Sequence, residues 1–290
     1  MGKSYPDRTN ATGIWKLKDI TRNKLTHGTY PGTQDLAGTI GLFAGGKNPS
    51  NINTVDQISI PTTGNTTDYG DLIQAQDGRA YGLGSATRGI HGGGRTPTKL
   101  NVIQYTHFKS GGNFADFGDL TAARDQLAGH NNNTRGLFAG GLAPGKSNII
   151  DFITMASTGN ATDFGDLTVA RGPGGGTGVS SSTRGVFAGG EAPSNTDVMD
   201  YITIASAGNA TDFGDLEFVT GWASGLDNGT RGVFSGFNNT GAPGADTTFG
   251  NCPQISYITI ASTGDYTDFG DLTARRYGLA AASNAHGALS

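Results

Sequence analysis

Pairs of aspartates three residues apart recur along this 290-residue chain and are its first candidates for chemistry. They lie in TDFGDL elements, and the clearest pairs are Asp163/Asp166, Asp212/Asp215 and Asp268/Asp271. Such carboxylates could chelate Ca²⁺, which takes several oxygen ligands. The element is typical of a strand, however, and alternation along a strand places positions i and i+3 on opposite faces. We therefore expect these aspartates to cap turns or to pair with repeated arginines. Those arginines are Arg88, Arg135, Arg184 and Arg231.

The other chemically versatile side chains form no catalytic set. Five histidines fall at different distances from the TDFGDL elements, and Cys252 stands alone in an insertion. Neither a nucleophile with a base nor metal-ligand spacing is visible. The DFG triplet recurs as DFG or DYG without the HRD and lysine motifs of kinases. The sequence predicts a non-enzymatic protein without metal or cofactor.

A block of about 48 residues recurs five times and positions all these residues. The first glycine of its RG(L/V)FAGG element falls at Gly41, Gly89, Gly136, Gly185 and Gly232. Each block holds four short strand candidates, and no stretch of it has helical periodicity. Four strands per 40 to 50 residues are typical of a β-propeller blade. We expect an all-β, five-bladed propeller with repeats at about 39–86, 87–133, 134–182, 183–229 and 230–290.

The repeats resemble those of kelch-type propellers. The shared pattern is an apolar run ending in Gly140-Gly141, a strand with Tyr or Phe, and an Ala170-Arg171 step. The kelch tryptophan is absent, and the fifth copy has Gly236-Phe237 in place of the diglycine. The resemblance covers residues 39–290 and implies the fold rather than the function. The chain from 277 to 284 has an inner-strand pattern, so we expect it to complete the first blade and close the ring.

Residues 1–38 do not match the repeat and differ from it in charge. Residues 1–28 carry a net charge of +4, which leaves −8 on the remaining 262 residues. The acidic body argues against a nucleic-acid binder, and no apolar run is long enough to span a bilayer. Apolar residues at helical spacing predict a short helix over about 15–26, whose face packs under the propeller or inserts into another protein. The expected docking residues are Ile14, Trp15, Leu17, Ile20, Leu25 and Tyr30.

The stretch from Gly13 to Pro31 also resembles a segment of structural proteins of tailed phages, marine phages in particular. The pattern is Gly13-Ile14-Trp15-Lys16-Leu17 followed by the step Tyr30-Pro31, where tryptophan is more usual than tyrosine. Glycine-rich TRGVFAGG repeats occur in the same class of protein. The resemblance implies a virion component, as fibre, tail appendage or capsid decoration, present in many copies. Residues 1–10 are polar and lack the hydrophobic core of a signal peptide, so we expect the protein to be made in the host cytoplasm without one.

The resemblance further implies that the partners are other virion proteins, bound through the N-terminal segment, and a host-surface glycan or receptor. The insertion at 238–252 breaks the repeat and is the expected ligand-contact loop, because loops on a rigid scaffold commonly carry binding. Its candidate contacts are Asn238, Asn239, Asp246 and Phe249. The alternative function is a carbohydrate-binding lectin that is not attached to a virion.

Overall fold

The computed structural model describes residues 39–77, 79–172, 177–192, 194–221, 223–239, 244–245, 250–277, 279 and 281. Every helix-or-strand element within these ranges is a β-strand, so the prediction of an all-β protein is confirmed. The strands form five antiparallel sheets. The expected N-terminal helix and docking residues, and most of the expected C-terminal strand, lie outside the described residues.

The first sheet contains β1 (Ile40–Ala44), β2 (Lys47–Asn48), β3 (Ser50–Ser59) and β4 (Thr67–Gln76). Strand β3 lies between β1 and β4, and the short β2 pairs with the beginning of β3. Glycine, proline and asparagine between the strands supply the turns. The free edge of β1 therefore has no partner strand within the part of the chain that the structure describes.

The other four sheets are four-stranded and run in chain order. The second contains β5 (Tyr81–Gly84), β6 (Arg88–Gly92), β7 (Val102–His107) and β8 (Ala115–Asp119). The third contains β9 (Ala128–Asn131), β10 (Arg135–Ala139), β11 (Ser147–Thr154) and β12 (Thr162–Arg171). The fourth contains β13 (Thr177–Ser180), β14 (Arg184–Ala188), β15 (Thr196–Thr203) and β16 (Thr211–Thr220). The fifth contains β17 (Ser224–Asp227), β18 (Arg231–Ser235), β19 (Gln254–Thr259) and β20 (Thr267–Asp271).

The hydrophobic core lies between consecutive sheets, which explains why the strands are apolar on both faces. One cluster joins Leu137 and Ile150 of the third sheet to Phe187 and Ile202 of the fourth. The first strands of sheets two to five also contact each other in chain order, β5 with β9, β9 with β13 and β13 with β17. Sheets that are consecutive in the chain thus cover each other's facing surfaces.

A repeated glycine permits this close approach. Gly165 of the DFG triplet has φ 142°, and a Cβ atom there would lie 2.5 Å from the backbone of Gly208 in the next sheet's turn. Residues other than glycine rarely adopt that backbone conformation, and the neighbouring backbone could move away only at a high cost in free energy. The DFG triplet is therefore a packing element at which one sheet meets the next.

Buried ion pairs also join neighbouring sheets. Arg171, at the end of the third sheet, binds Asp200 of the fourth, and both side chains are 0% exposed. Thr168 donates to the same carboxylate, while the Arg171 guanidinium donates to the carbonyls of Gly189 (2.7 Å) and Val198 (3.0 Å). We call this arrangement the arginine clamp: a Thr and an Arg of one sheet that hold an Asp of the next sheet's third strand.

The second and third sheets are joined by the same clamp. Arg124 lies 2.5 Å from the Asp151 carboxylate, Thr121 donates to that carboxylate at 2.5 Å, and both charged side chains are 0% exposed. Burial lowers the pKa of Arg124 and, against this, the Asp151 carboxylate raises it. Buried charges persist only when paired and hydrogen-bonded, so each clamp fixes one relative position of two sheets.

The repeated arginines make a different contact from the one predicted. Arg135 lies over the ring of Phe152, 4.8 Å from its centroid, and donates to the Ile204 carbonyl of the next sheet at 3.1 Å. Arg88 and Arg184 donate in the same way to Met155 and Ile260. These three arginines therefore bind carbonyls of the next sheet and do not pair with the aspartates of the TDFGDL element.

Those aspartates do take part in turns, as expected. The Asp163 carboxylate accepts a hydrogen bond from the Gly165 amide at 3.2 Å. The amide of Asp166 in turn donates to the side-chain oxygen of Asn209, in the turn of the next sheet, at 3.1 Å. The repeated asparagine of the sequence thus caps a strand of the preceding sheet.

Candidate ligand-binding face

The loops that vary between repeats emerge at one end of the sheets. In an antiparallel meander, the connection from the second to the third strand and the chain leaving the fourth strand lie at the same end. The connections are residues 45–49, 93–101, 140–146, 189–195 and 236–253. We call this end the hairpin face. The insertion predicted as the ligand loop is the fifth and longest of these connections.

A constant backbone frame supports the hairpin face. Gly140 and Gly141 have φ values of 63° and 89°, which favour glycine, and corresponding pairs begin the first, second and fourth connections. The amide of Gly141 donates a hydrogen bond to the Arg171 carbonyl at 3.0 Å, and the amide of Ser147 donates one to the Gly141 carbonyl at 3.0 Å. The other three connections that begin with a diglycine have the same two hydrogen bonds, so each of the four is held at both ends by its own sheet.

The residue directly after the diglycine differs in each of these four connections. It is Lys47, Arg95, Leu142 and Glu191 in turn, and Asn238 follows Gly236-Phe237 in the fifth. The four residues include both signs of charge and an apolar side chain, although the flanking glycines repeat. Variable side chains on a rigid frame are the usual arrangement of a binding surface.

A cavity of about 410 Å³ opens on the hairpin face between the first and second sheets. It is lined by Lys47, Asn51, Asp77, Arg79, Arg95, Thr96 and Pro97. Three cationic side chains therefore surround it with one carboxylate, on a chain whose net charge is −4. The local excess of positive charge favours an anionic group.

The single carboxylate of the cavity already has a partner. Asp77 lies 3.3 Å from the side chain of Arg79 and accepts a weaker contact from its amide at 3.4 Å. Lys47 and Arg95 are exposed on the two flanking connections. A guanidinium and an ammonium group approaching from two sides suit the oxygens of a carboxylate, sulfate or phosphate group.

The equivalent place between the third and fourth sheets is electrically neutral. There Lys146 and Glu191 form an ion pair of 3.2 Å that bridges the two sheets. The same frame therefore carries different charges at different sheet junctions. Of these two junctions, the one between the first and second sheets is basic.

The insertion has a fixed base. The amide of Asn239 donates to the Gly250 carbonyl at 2.7 Å, and the amide of Cys252 donates to the Phe237 carbonyl at 3.2 Å. Cys252 is buried, and its thiol contacts the Gly250 carbonyl at 3.2 Å, so it serves packing here. Asn238 and Asn239 are half-buried at this base. Asp246 and Phe249 lie outside the described residues.

Other titratable groups belong to the interior. Burial lowers the pKa of His91 and His130 to about 4, and the Val186 carbonyl near His130 opposes this shift. His91 contacts the Gln76 amide at 3.0 Å. Among the described residues, no three His, Cys, Asp or Glu side chains are grouped so that they could hold a metal ion.

No protein-family model matches the chain, and no curated protein sequence matches it. Within the described part of the chain, no helix is long and apolar enough to cross a membrane. The function must therefore be argued from the residues themselves.

Sequence reasoning located the longest connection of the hairpin face but missed its basic cavity. Lys47, Arg79 and Arg95 are separated by up to 48 positions, and only the fold brings them together. The sequence does contain a feature that points to this place, because the residue after the diglycine varies in charge while the residues around it repeat. The predicted docking residues Ile14, Trp15, Leu17, Ile20, Leu25 and Tyr30 lie outside the described residues, so that prediction stays a prediction.

Proposed function

We propose that this chain is a non-enzymatic virion protein of a tailed phage, a fibre, tail appendage or capsid decoration. In this proposal residues 39–290 form a five-bladed, kelch-like propeller, and residues 1–38 dock it onto a neighbouring virion subunit. The hairpin face binds an anionic group of a host-surface glycan. The phage assignment rests on the sequence resemblance of the Gly13–Pro31 segment and of the glycine-rich repeats.

Ring closure is supported by the incomplete first sheet. In sheets two to five the RG-containing strand lies between two others, whereas β1 pairs only with β3 among the described residues. The C-terminal chain from 277 to 284 supplies the missing neighbour of β1 in our proposal. Closure would remove the free edge, which is otherwise a site for aggregation.

The basic cavity of the hairpin face is the observation that carries the binding function. Lys47 and Arg95 project from a frame whose backbone repeats, beside a carboxylate that Arg79 already occupies. Like charges gathered in this way repel one another, and a bound anion would offset that repulsion. Many copies on one particle would convert weak contacts into avidity.

A glycan-binding screen tests this proposal. We expect the full chain to bind sialylated, sulfated or uronate-containing glycans and not their neutral counterparts. The Lys47→Glu and Arg95→Glu variants should lose this binding. Lys109→Glu is the matched control, because Lys109 is exposed in the connection between the third and fourth strands, at the opposite end of its sheet. Equal binding by all three variants would contradict the assignment of the cavity.

Particle association is tested separately. Deletion of residues 1–38 should leave a folded protein that no longer joins the virion, since the proposed anchor is removed. Incorporation of the truncated chain at the normal level would refute the anchor. Acidic-glycan binding by a chain that never associates with a particle would instead favour the alternative, a lectin that is not attached to a virion.

A further inference from the structure

The two terminal sheets each present an exposed apolar face whose counterparts in the described inner sheets are buried. Phe43 of the first sheet is 60% exposed, whereas Phe138 and Phe187, at the same place in the third and fourth sheets, are 0% exposed. Phe269 of the fifth sheet is 51% exposed, whereas Phe213 at the same place in the fourth sheet is 2% exposed. Each face has the residues of an internal junction.

The polar residues of an arginine clamp are divided between these two faces. Asp56 is paired in register with Phe43, as Asp200 is paired with Phe187 in the fourth sheet. At the other end of the chain, LTARR at 272–276 repeats LTVAR at 167–171, so Thr273 and Arg276 take the places of the clamp's Thr and Arg. Asp56 is half-buried, and Thr273 and Arg276 are exposed.

The clamp positions vary together across the junctions. Asp151 and Asp200 each receive an arginine from the preceding sheet. Where the aspartate is replaced by Ser256, the preceding sheet carries Thr220 in place of the arginine. Where it is replaced by Gln104, the preceding sheet has Gln76. Arg276 is the remaining clamp arginine, and Asp56 is the remaining clamp aspartate.

A second connector is divided in the same way. In sheets two to four the repeated arginine donates to a carbonyl at the end of the next sheet's third strand, as Arg184 does to Ile260 at 3.0 Å. Arg231 occupies the donor position in the fifth sheet and Ile60 the acceptor position in the first. Ile60 is 57% exposed, whereas Ile204 and Ile260 at the same place are 0% exposed.

The asparagine connector gives the third match. Asn160 and Asn209 accept hydrogen bonds from the amides of Asp119 and Asp166 in the preceding sheets. Asn65 is the corresponding residue of the first sheet, and Asp271 is the corresponding amide of the fifth. All three repeated connectors therefore have their acceptor in the first sheet and their donor in the fifth.

We propose that the exposed face of the first sheet binds the fifth sheet of the same chain through a third arginine clamp, in which Thr273 and Arg276 hold Asp56. Arg231 donates to the Ile60 carbonyl, and the Asp271 amide donates to Asn65. Phe43 and Phe269 become buried in the junction. This inference rests on the closed arrangement proposed above but is independent of the phage assignment and of the glycan.

A double-mutant cycle on the full chain tests the clamp. Arg276→Thr and Asp56→Ser together copy the natural Thr220 and Ser256 combination. Each single variant should lower the equilibrium constant for folding by on the order of a hundredfold, and the second substitution should add little. Arg275→Thr is the matched control, since it removes a neighbouring exposed arginine and should change the constant by less than about threefold. Additive losses would overturn the proposal.

Cross-linking distinguishes a contact within one chain from a contact between two chains. It uses a variant that keeps a positive charge at position 276, so it does not require the variants of the mutant cycle to fold. In the Arg276→Lys variant, carbodiimide should couple the new amine to the Asp56 carboxylate within a monomer, and mass spectrometry would identify the joined peptides. The Arg275→Lys control should not give that product. A link found only between two chains, or absent from both variants, would overturn the proposal. Glycan binding and particle incorporation, measured on the same variants, report separately on the proposed function.

Discussion

Replacement of Arg171 by threonine should cost more stability in the native protein than in a chain that already lacks Asp200. The guanidinium of Arg171 binds the Asp200 carboxylate and donates to two carbonyls at 2.7 and 3.0 Å, with both charged side chains 0% exposed. Removal of the arginine leaves a buried carboxylate whose remaining side-chain partner, within the described part of the chain, is Thr168. The loss of one partner of a buried pair costs about 3–5 kcal/mol.

The protein itself supplies a reference junction in which the clamp's arginine and aspartate are both replaced by neutral residues. Between the fourth and fifth sheets, Thr220 and Ser256 occupy the clamp positions, and Ser256 instead donates to Glu217 at 2.9 Å. The Arg171→Thr and Asp200→Ser double variant copies that combination. We expect it to be more stable than Arg171→Thr alone, with a coupling energy of about 2 kcal/mol or more.

Urea unfolding of the four chains measures this coupling, followed by circular dichroism at constant pH and ionic strength. The midpoint of Arg171→Thr should fall well below that of the double variant while the denaturant slope stays unchanged. A coupling energy below about 0.5 kcal/mol would refute the view that the clamp is a single charged unit. A changed slope would show that the junction opens independently of the rest.

Three further predictions address the interior. Burial lowers the pKa of His91 and His130 to about 4, so between about pH 6.5 and 4 the unfolded chain binds more protons. The free energy of unfolding should therefore fall as the pH falls through that window. His130→Leu, which copies Leu83 and Leu226 at the same place in the second and fifth sheets, should reduce the slope of the unfolding midpoint against pH. Gly165→Ala should destabilise by about 2 kcal/mol or more in urea because of its positive φ and the adjacent backbone, whereas Gly145→Ala, with open space around it, should not. Asp125 is 0% exposed and both side-chain oxygens lack a partner among the described residues, so Asp125→Leu, which removes this unpaired polar group at similar volume, should raise the thermal midpoint.

The sequence predicted the period, the all-β class and the positions of the turns because each depends on neighbours in the chain. Alternating β-branched and aromatic residues between glycine-rich turns determine strands locally. It did not predict the partners of the arginines. Arg184 was expected beside an aspartate, but its guanidinium lies 4.2 Å from the centre of the Tyr201 ring and reaches a carbonyl 76 positions away. Such contacts depend on how two sheets face each other, which no local pattern specifies.

Comparison of the repeats with one another can recover part of that missing information. At the clamp, a change in one sheet is matched by a change in its neighbour, as Thr220 with Ser256 and Gln76 with Gln104, because a buried charge cannot be left without a partner. Positions that vary together in this way mark the junctions between sheets, and Asp56 with Arg276 belongs among them.

The hairpin face shows the opposite behaviour. Lys47, Arg95 and Leu142 replace one another at one position although the glycines beneath them do not change. Lys47 and Arg95 are exposed, so no packing requirement sets their charge. A side chain that varies on an invariant frame is free to be selected for a ligand, whereas one whose variation is matched across a junction is committed to the fold. The cavity between the first two sheets is of the first kind, which is why we place the function there and not at the aspartates that recur in every repeat.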